Sequence, residues 1–264
     1  SSDDNFEDIK RIDLFVFDES GNFVDRWIDD NAPQLDSTYY MEIPLAYGNY
    51  QIVSWMGFSD SYKIIPRSFD SHTSFEMCML SLQRSEEGIV DYIPSRLLYA
   101  AERHAVIDKP NVNFKLDLQQ LTNTIKITTE GLEPSDRTYS LAVKDNNGDY
   151  LFDGMLAPNN EELKYNITCQ KDEYHQPFAI LGVMGLSEER RNPLLSLIDL
   201  STENDIYRVK LVDLILKLKD KGVVVDFNTI HHYDIHLRFI NTDMDVEIII
   251  NGWNVSDTDT ELSH

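Results

Sequence analysis

Apolar residues recur at every second position along most of this chain, in short runs separated by polar, glycine-containing turns. This period is typical of β-strands that bury one face. The alternating run at residues 12–16 ends in the polar cluster 18–22, and Phe23 and Val24 resume the apolar pattern. The pattern therefore predicts a β-hairpin, because glycine and asparagine supply the backbone conformations that tight turns require.

A second hairpin is predicted after the middle of the chain. Residues 139–143 alternate, residues 145–148 read Asp-Asn-Asn-Gly, and residues 150–152 return to apolar side chains. An Asn-Gly turn between two such runs favours a tight connection between neighbouring antiparallel strands.

Eight further segments have the length and alternation of strands: residues 39–43, 50–55, 76–82, 112–118, 124–129, 178–184, 233–239 and 246–250. Short strands at this spacing are typical of β-sandwiches. One stretch differs, since Thr202 and Asp205 form a possible capping box and residues 209–218 have roughly helical spacing before Gly222. These signals predict one helix that ends at Gly222.

The polar segment 119–123 lies between two alternating runs and is the best candidate for a domain boundary. The 264 residues exceed a typical domain of roughly 100 to 150. We therefore predict an all-β protein with two β-sandwich domains, residues 1–119 and 120–264, and one short helix in the second domain.

The charge balance argues against several classes of protein. Lysine and arginine number 23 and aspartate and glutamate 46, which gives a net charge of −23. Such a field repels nucleic-acid phosphates, so we expect no nucleic-acid partner. The longest nearly unbroken apolar stretch, residues 178–186, has about half the length of a membrane-spanning helix.

Motifs that carry catalytic chemistry are absent from the sequence. It contains no GxSxG, GxxxxGK[ST], GxGxxG or HExxH. Asp145, Asn147 and Asp149 resemble the start of an EF-hand loop, but Tyr150 and Leu156 stand where that loop needs glycine and glutamate. We therefore predict no enzyme and no cofactor.

One constellation could hold a metal ion. His232, Asp234 and His236 stand at every second residue, so a strand would place all three side chains on one face. The residues between them are apolar, which also fits a half-buried strand with a solvated outer face. No fourth ligand is indicated, and the second interpretation is the simpler one.

The two cysteines, Cys78 and Cys169, form no CxxC pair and can make at most one bridge. Each has a histidine nearby in sequence, His72 and His175, which leaves a thiol nucleophile as an alternative. Short buried cysteines are commoner.

Three tryptophans, Trp27, Trp55 and Trp253, offer flat rings on which a sugar could stack. They keep a second function open, that of a secreted carbohydrate-binding β-sandwich protein.

Several segments, taken in order, resemble the FimB-type fimbrial anchor family of the Bacteroidetes, which are minor proteins associated with fimbrillin shafts. The segments are residues 11–21, 43–55, 94–100, 122–127 and 248–253, the last reading Ile-Ile-Ile-Asn-Gly-Trp. Ala46-Tyr47 stand where the family more often has proline, and Ala100 replaces a glycine. Together the segments span nearly the whole chain.

The resemblance implies two tandem transthyretin-like β-sandwiches in a lipoprotein of the bacterial outer membrane, tethered by an acylated cysteine immediately before Ser1. The acidic residues 1–8 are similar to the segment that follows this cysteine in surface-exported lipoproteins. We therefore predict a non-enzymatic fimbrial anchor or accessory subunit at the cell surface, with fimbrial shaft or accessory subunits as partners.

Binding is expected to occur by strand addition, because the edges of sandwich sheets expose unpaired backbone groups. Val246, Ile248 and Ile250 share one face of a strand near the C-terminus and are the candidate partner-binding residues. The alternative is that they close the second domain's own core, which the mixed opposite face of Glu247 and Ile249 favours.

Overall fold

The computed structural model describes residues 5–240 and 245–256, and strands dominate this part of the chain. The strands are β1 (Ile12–Asp18), β2 (Phe23–Asp29), β3 (Gly48–Met56), β4 (Tyr62–Ile65), β5 (Met79–Leu82), β6 (Ile89–Val90), β7 (Leu98–Ile107), β8 (Gln119–Gln120), β9 (Asn123–Glu130), β10 (Tyr139–Asp145), β11 (Asp149–Leu151), β12 (Leu163–Thr168), β13 (Gln170–Lys171), β14 (Pro177–Val183), β15 (Leu194–Asp199), β16 (Asn204–Lys210), β17 (His232–Phe239), β18 (Val246–Ile250) and β19 (Trp253–Asn254). These residues also form one short α-helix, α1 (Leu211–Leu216), and the 3-10 helices Phe75–Met77 and Lys217–Lys221. The prediction of an all-β fold with one short helix is confirmed.

The chain divides into two compact units. Unit 1 comprises Ser1–Gln83, Pro94–Thr122 and Asn147–Glu161, and unit 2 comprises Arg84–Ile93, Asn123–Asn146 and Glu162–His264. The division predicted at 119/120 is continuous, so it differs from these units by two exchanged segments, residues 84–93 and 147–161, and by a boundary three residues later, at 122/123. The cause is non-local pairing, since β6 pairs with β12 in unit 2 and β11 pairs with β5 in unit 1.

Unit 1 contains a five-stranded antiparallel sheet, β2-β1-β3-β7-β8, and a three-stranded sheet, β11-β5-β4. The first predicted hairpin is confirmed, because β1 pairs with β2. Phe15 and Phe17 on β1 and Trp55 on β3 are fully buried. Their rings meet that of Phe152 at 5.0, 6.1 and 5.7 Å, in the edge-on geometry that aromatic pairs favour. An aromatic core therefore holds unit 1 together.

The opposite face of the five-stranded sheet is covered by chain without regular secondary structure. The covering residues are half-buried and pack on apolar side chains of the sheet: Leu35, Tyr39, Met41, Ile43, Leu45 and Leu116. The strands predicted at residues 39–43 and 112–118 are therefore wrong. Residues 39–45 alternate between half-buried and exposed, yet they join no sheet. Their side chains alternate because one face of the segment lies on the sheet, although the backbone forms no ladder of hydrogen bonds with a neighbouring strand.

Unit 2 contains a five-stranded sheet, β16-β15-β10-β12-β6, and a six-stranded sheet, β13-β14-β9-β17-β18-β19. Alternate residues of both sheets are buried, among them Leu141 and Val143 on β10 and Ile235 and Leu237 on β17. The strands predicted at residues 124–129, 178–184, 233–239 and 246–250 are confirmed by β9, β14, β17 and β18, with ends that differ by at most one residue.

The second predicted hairpin is wrong. β10 pairs with β12 and β15, whereas β11 pairs with β5. Tyr150 and Phe152 are buried in unit 1, and the Phe152 ring lies 5.0 Å from that of Phe15. Both strands exist, but burial of these aromatic rings gives β11 a distant partner.

The helix begins later than predicted. β16 occupies Asn204–Lys210, so Asp205 lies in a strand and makes no capping box with Thr202. The helix buries four apolar residues, Leu211, Val212, Leu214 and Ile215. Gly222, with φ of 76°, ends the following 3-10 turn in the left-handed conformation, as predicted.

No helix in the described ranges has the length and apolarity needed to cross a membrane.

Candidate docking edges

β16 is the last strand of its sheet. It pairs with β15 on one side, and no strand in residues 5–240 and 245–256 pairs with its other side. Tyr207 and Val209 are half-buried, and the Tyr207 ring lies 6.4 Å from that of Phe239. Burial raises the pKa of Tyr207 to about 12, so its phenol stays neutral. An open edge of this kind is a template for another strand.

β7 supplies a second open edge, in unit 1. β8 pairs only with the first two residues of this ten-residue strand, and residues 100–107 have no other outer strand within the described ranges. An open depression of about 680 Å³ lies beside its last residues. Arg103 lines it, with its Nε donating to Oε1 of Gln51 at 2.8 Å and its guanidinium 4.3 Å from the centre of the Phe75 ring. Hydrogen bonding and the aromatic ring hold this cation in place beside the edge.

The predicted partner-binding residues lie inside a sheet. Ile248 and Ile250 on β18 are 7% and 0% exposed, and Val246 is half-buried. β18 has β17 on one side and the two-residue β19 on the other. The amide of Ile248 also donates to Oγ of Ser256 at 2.7 Å. In this arrangement Ile248 and Ile250 contribute to the core of unit 2, and their role in partner binding stays a prediction.

His232, Asp234 and His236 share the outer face of β17, as their spacing predicted, but they do not converge. His232 Nε2 lies 3.0 Å from Oδ1 of Asp234. On His236, by contrast, Nδ1 lies 2.7 Å from Oγ1 of Thr128, and Nε2 lies 3.2 Å from Oε1 of Glu130. Within the described ranges, no three His, Cys, Asp or Glu residues form a group that could hold a metal ion.

The two thiols are not poised for nucleophilic chemistry. Cys78 is buried, and its Sγ donates to the carbonyl of Ser74 at 3.3 Å. Burial raises the pKa of Cys78 and of Cys169 to about 12. Both therefore stay protonated at neutral pH, whereas thiol nucleophiles react as thiolates.

Asp145, the first residue of the EF-hand-like run, ends β10 as a buried carboxylate. Its Oδ1 accepts from Arg190, from Asn192 at 3.3 Å and from the amide of Asn146 at 2.7 Å, while Oδ2 has no partner in the part of the chain described. Burial raises the pKa of Asp145, and Arg190 partly opposes that effect. The guanidinium of Arg190 balances its charge.

Neither open edge was predicted from the sequence. Residues 204–210 were assigned to a helix, and the strand at residues 98–107 was not predicted. The run Tyr207-Arg208-Val209-Lys210 does alternate apolar and charged side chains, which is a strand signal. The helical spacing of the residues that follow concealed it.

Comparison with known proteins assigns this two-unit β protein to a family. The model of the fimbrillin-A associated anchor proteins Mfa1 and Mfa2 matches residues 1–259. The chain belongs to this family. A relative, the minor fimbrium anchoring subunit Mfa2 of Porphyromonas gingivalis, is 24% identical over 97% of this chain and 81% of its own length.

Solved structures share the fold. The fimbrial anchor protein Mfa2 from Porphyromonas gingivalis has a TM-score of 0.76 and 22% identity over 94% of this chain and 91% of its own. A structure described as a candidate polysaccharide-binding protein from Bacteroides thetaiotaomicron has a TM-score of 0.79 and 19% identity over 93% and 89% of the two chains. At these identities the likeness shows a common β-sandwich fold, and the tandem transthyretin-like detail stays a prediction.

Membership of the fimbrillin-A associated anchor family confirms the resemblance found in the sequence. It gives the chain a non-enzymatic role as a fimbrial anchor or accessory protein. The family is associated with fimbriae at the cell surface and with their subunits.

The tryptophans of this family member give little support to the carbohydrate-binding alternative. Trp55 is fully buried, with its ring 4.9 Å from that of Tyr99. Trp27 is half-buried against the cluster that contains Leu14. Only Trp253, at 48%, is among the largely exposed aromatic side chains. Two of the three tryptophans that raised the carbohydrate-binding alternative therefore offer no free ring face, and the anchor role is favoured.

Proposed function

We propose that the chain is an outer-membrane lipoprotein of the bacterial cell surface that holds a fimbria and limits how far its shaft extends or detaches. The match of the anchor family over residues 1–259 carries this proposal. The related Mfa2, described as an anchoring subunit of the minor fimbrium, supports it. The lipid would be attached to a cysteine that immediately precedes Ser1 in the encoded precursor.

The proposed contact with fimbrial shaft or accessory subunits is strand addition at an open edge, for which β16 and β7 are the best candidates. Each added backbone hydrogen bond contributes about 0.5 to 1.5 kcal/mol, and each fully buried apolar side chain about 1.5 to 3 kcal/mol. Ordering the partner segment offsets part of this gain. A segment that pairs along all seven residues of β16 would still form a durable attachment.

A partner contact through Val246, Ile248 and Ile250 requires a further step. β19 pairs with Ile249 and Ile250 and covers part of the outer side of β18. A shaft subunit would therefore have to displace β19 before it could share this strand.

Deleting the gene in the source bacterium tests the anchor role. We expect fimbrial protein to move from the cells to the culture medium, with longer detached shafts, and the wild-type gene to restore retention. Fimbriae that stay attached at normal length without the chain would refute the proposal. Lipid attachment is tested by growing cells that express the encoded precursor with radioactive palmitate. We expect the protein to be labelled, and we expect the label to be lost when the cysteine before Ser1 is replaced.

A further inference from the structure

The outer face of the five-stranded sheet of unit 2 carries a cationic patch, formed by Lys144 on β10, Lys164 on β12, and Arg208 and Lys210 on β16. Alternate residues on these strands face the core, so the four basic side chains lie on the opposite face. Lys144 stands directly opposite Lys164 in the β10–β12 register. Leu194 separates Lys144 from Lys210 in the same row.

Three of these cations lack a carboxylate partner. In the described part of the chain no ion pair involves Lys144, Lys164 or Lys210, whereas Arg208 has Asp205 at 3.9 Å. The chain as a whole carries 46 acidic and 23 basic residues, so four neighbouring cations on one sheet face are a local exception to its charge. Like charges directly opposite in a sheet, with Cβ atoms about 5 Å apart, destabilise it. An anionic partner would relieve that repulsion.

The patch has the dimensions of one extended peptide segment. In the next row Asn166, Ala142, Ser196 and Arg208 stand side by side, and Ala142 and Ser196 are buried beneath their neighbours, at 2% and 8% exposed. The patch crosses four strands, or about 15 Å at the usual strand spacing. Four or five residues of extended chain cover the same distance.

We propose that this patch binds an extended acidic segment of a partner polypeptide, whose carboxylates pair with the lysines. The inference rests on the proposed fimbrial role in taking that partner to be a protein. A planar anionic membrane fits less well. Screening limits the field of the patch to about 8 Å at physiological salt. A flat membrane would also meet the acidic surface of a chain with a net charge of −23. A narrow segment meets mainly the patch, with Glu162 and Asp205 near its margins.

The full chain and a labelled eight-residue peptide of alternating glutamate and valine provide the test, with binding followed by fluorescence anisotropy. We expect Lys144→Glu with Lys164→Glu to weaken binding by about tenfold or more, since each lysine becomes a repulsive charge. Lys109→Glu with Lys115→Glu changes the net charge equally at exposed positions of unit 1 and serves as the control. We expect this control to change binding by less than about threefold.

Several results would overturn the proposal: equal losses in the two double variants, no peptide binding to the wild type at low salt, equal binding of a lysine-valine peptide, or tighter binding to phosphatidylglycerol vesicles than to the peptide. Thermal melting checks that both variants fold. Lys144→Gln with Lys164→Gln, which should also lose binding, replaces the first pair if that pair does not fold. If the wild-type chain does not bind the acidic peptide but cells that carry it retain their fimbriae, only the proposed patch is refuted. If gene deletion leaves the fimbriae attached at normal length, the anchor role is refuted.

Discussion

At the scale of single residues, buried carboxylates are balanced by arginines to different extents. Asp13 is fully buried. Its Oδ1 accepts a hydrogen bond from Nε of Arg11 at 2.7 Å, and its Oδ2 accepts one from Nη2 of Arg26 at 2.5 Å. Asp145 has a single guanidinium, from Arg190, and one of its oxygens has no partner in the described ranges. Removing one partner of a buried pair typically costs about 3 to 5 kcal/mol. Asp145, with one guanidinium and one unpartnered oxygen, is therefore the less completely compensated of the two carboxylates.

Asp145→Asn should alter the pH dependence of stability. Burial raises the pKa of Asp145, so the folded state holds this proton to a higher pH than the unfolded state does. This carboxyl therefore makes the wild type less stable as pH rises from the ordinary aspartate value through the raised one. Urea unfolding at several pH values should show the wild type losing stability relative to Asp145→Asn over that range. Asp136→Asn, at an exposed position, is the control, and an equal trend in it would contradict the prediction.

Both thiols should be nearly inert in the native chain. Because the pKa of each is raised to about 12, the reactive thiolate is scarce at neutral pH. We expect Ellman's reagent to modify Cys78 and Cys169 slowly in the native chain and rapidly in guanidinium chloride. Fast reaction of one native thiol would restore the possibility of a nucleophile.

At the scale of elements, alternation along the sequence correctly predicted which segments have one covered face. It predicted the pairing of two strands only where a tight turn joins strands that are neighbours in sequence. The β1–β2 hairpin was predictable because its partner is local. Residues 39–45 alternate in the same way, but they cover a sheet face without joining it. The pairing of β11 with β5, and the open edge at β16, depend on contacts between distant parts of the chain that no local period encodes.

Phe152→Ala should destabilise unit 1, although the boundary predicted at 119/120 placed Phe152 in the second domain. Its ring is fully buried and contacts those of Phe15, Phe17 and Trp55. A buried phenylalanine replaced by alanine costs about 3 to 5 kcal/mol, which denaturant unfolding measures. Met155→Ala, at a side chain 68% exposed, should change stability by less than about 0.5 kcal/mol. Similar effects of the two changes would mean that residues 147–161 do not complete this core.

At the scale of the whole molecule, high negative charge and open sheet edges occur together. Unpaired edges invite pairing with other copies, and mutual repulsion at a net charge of −23 opposes it. A specific partner has to overcome the same repulsion, and the cationic patch offers a local exception to it. The family and the all-β fold were predictable from the sequence, whereas the edges and the patch required the pairing of strands.

Hydrogen exchange of the chain with and without a purified fimbrial subunit tests strand addition most directly. If a partner strand pairs with an open edge, backbone amides in residues 204–210 of β16 or 100–107 of β7 should become strongly protected in the complex, because they gain inter-strand hydrogen bonds. Stable binding with no added protection at either edge would contradict the account.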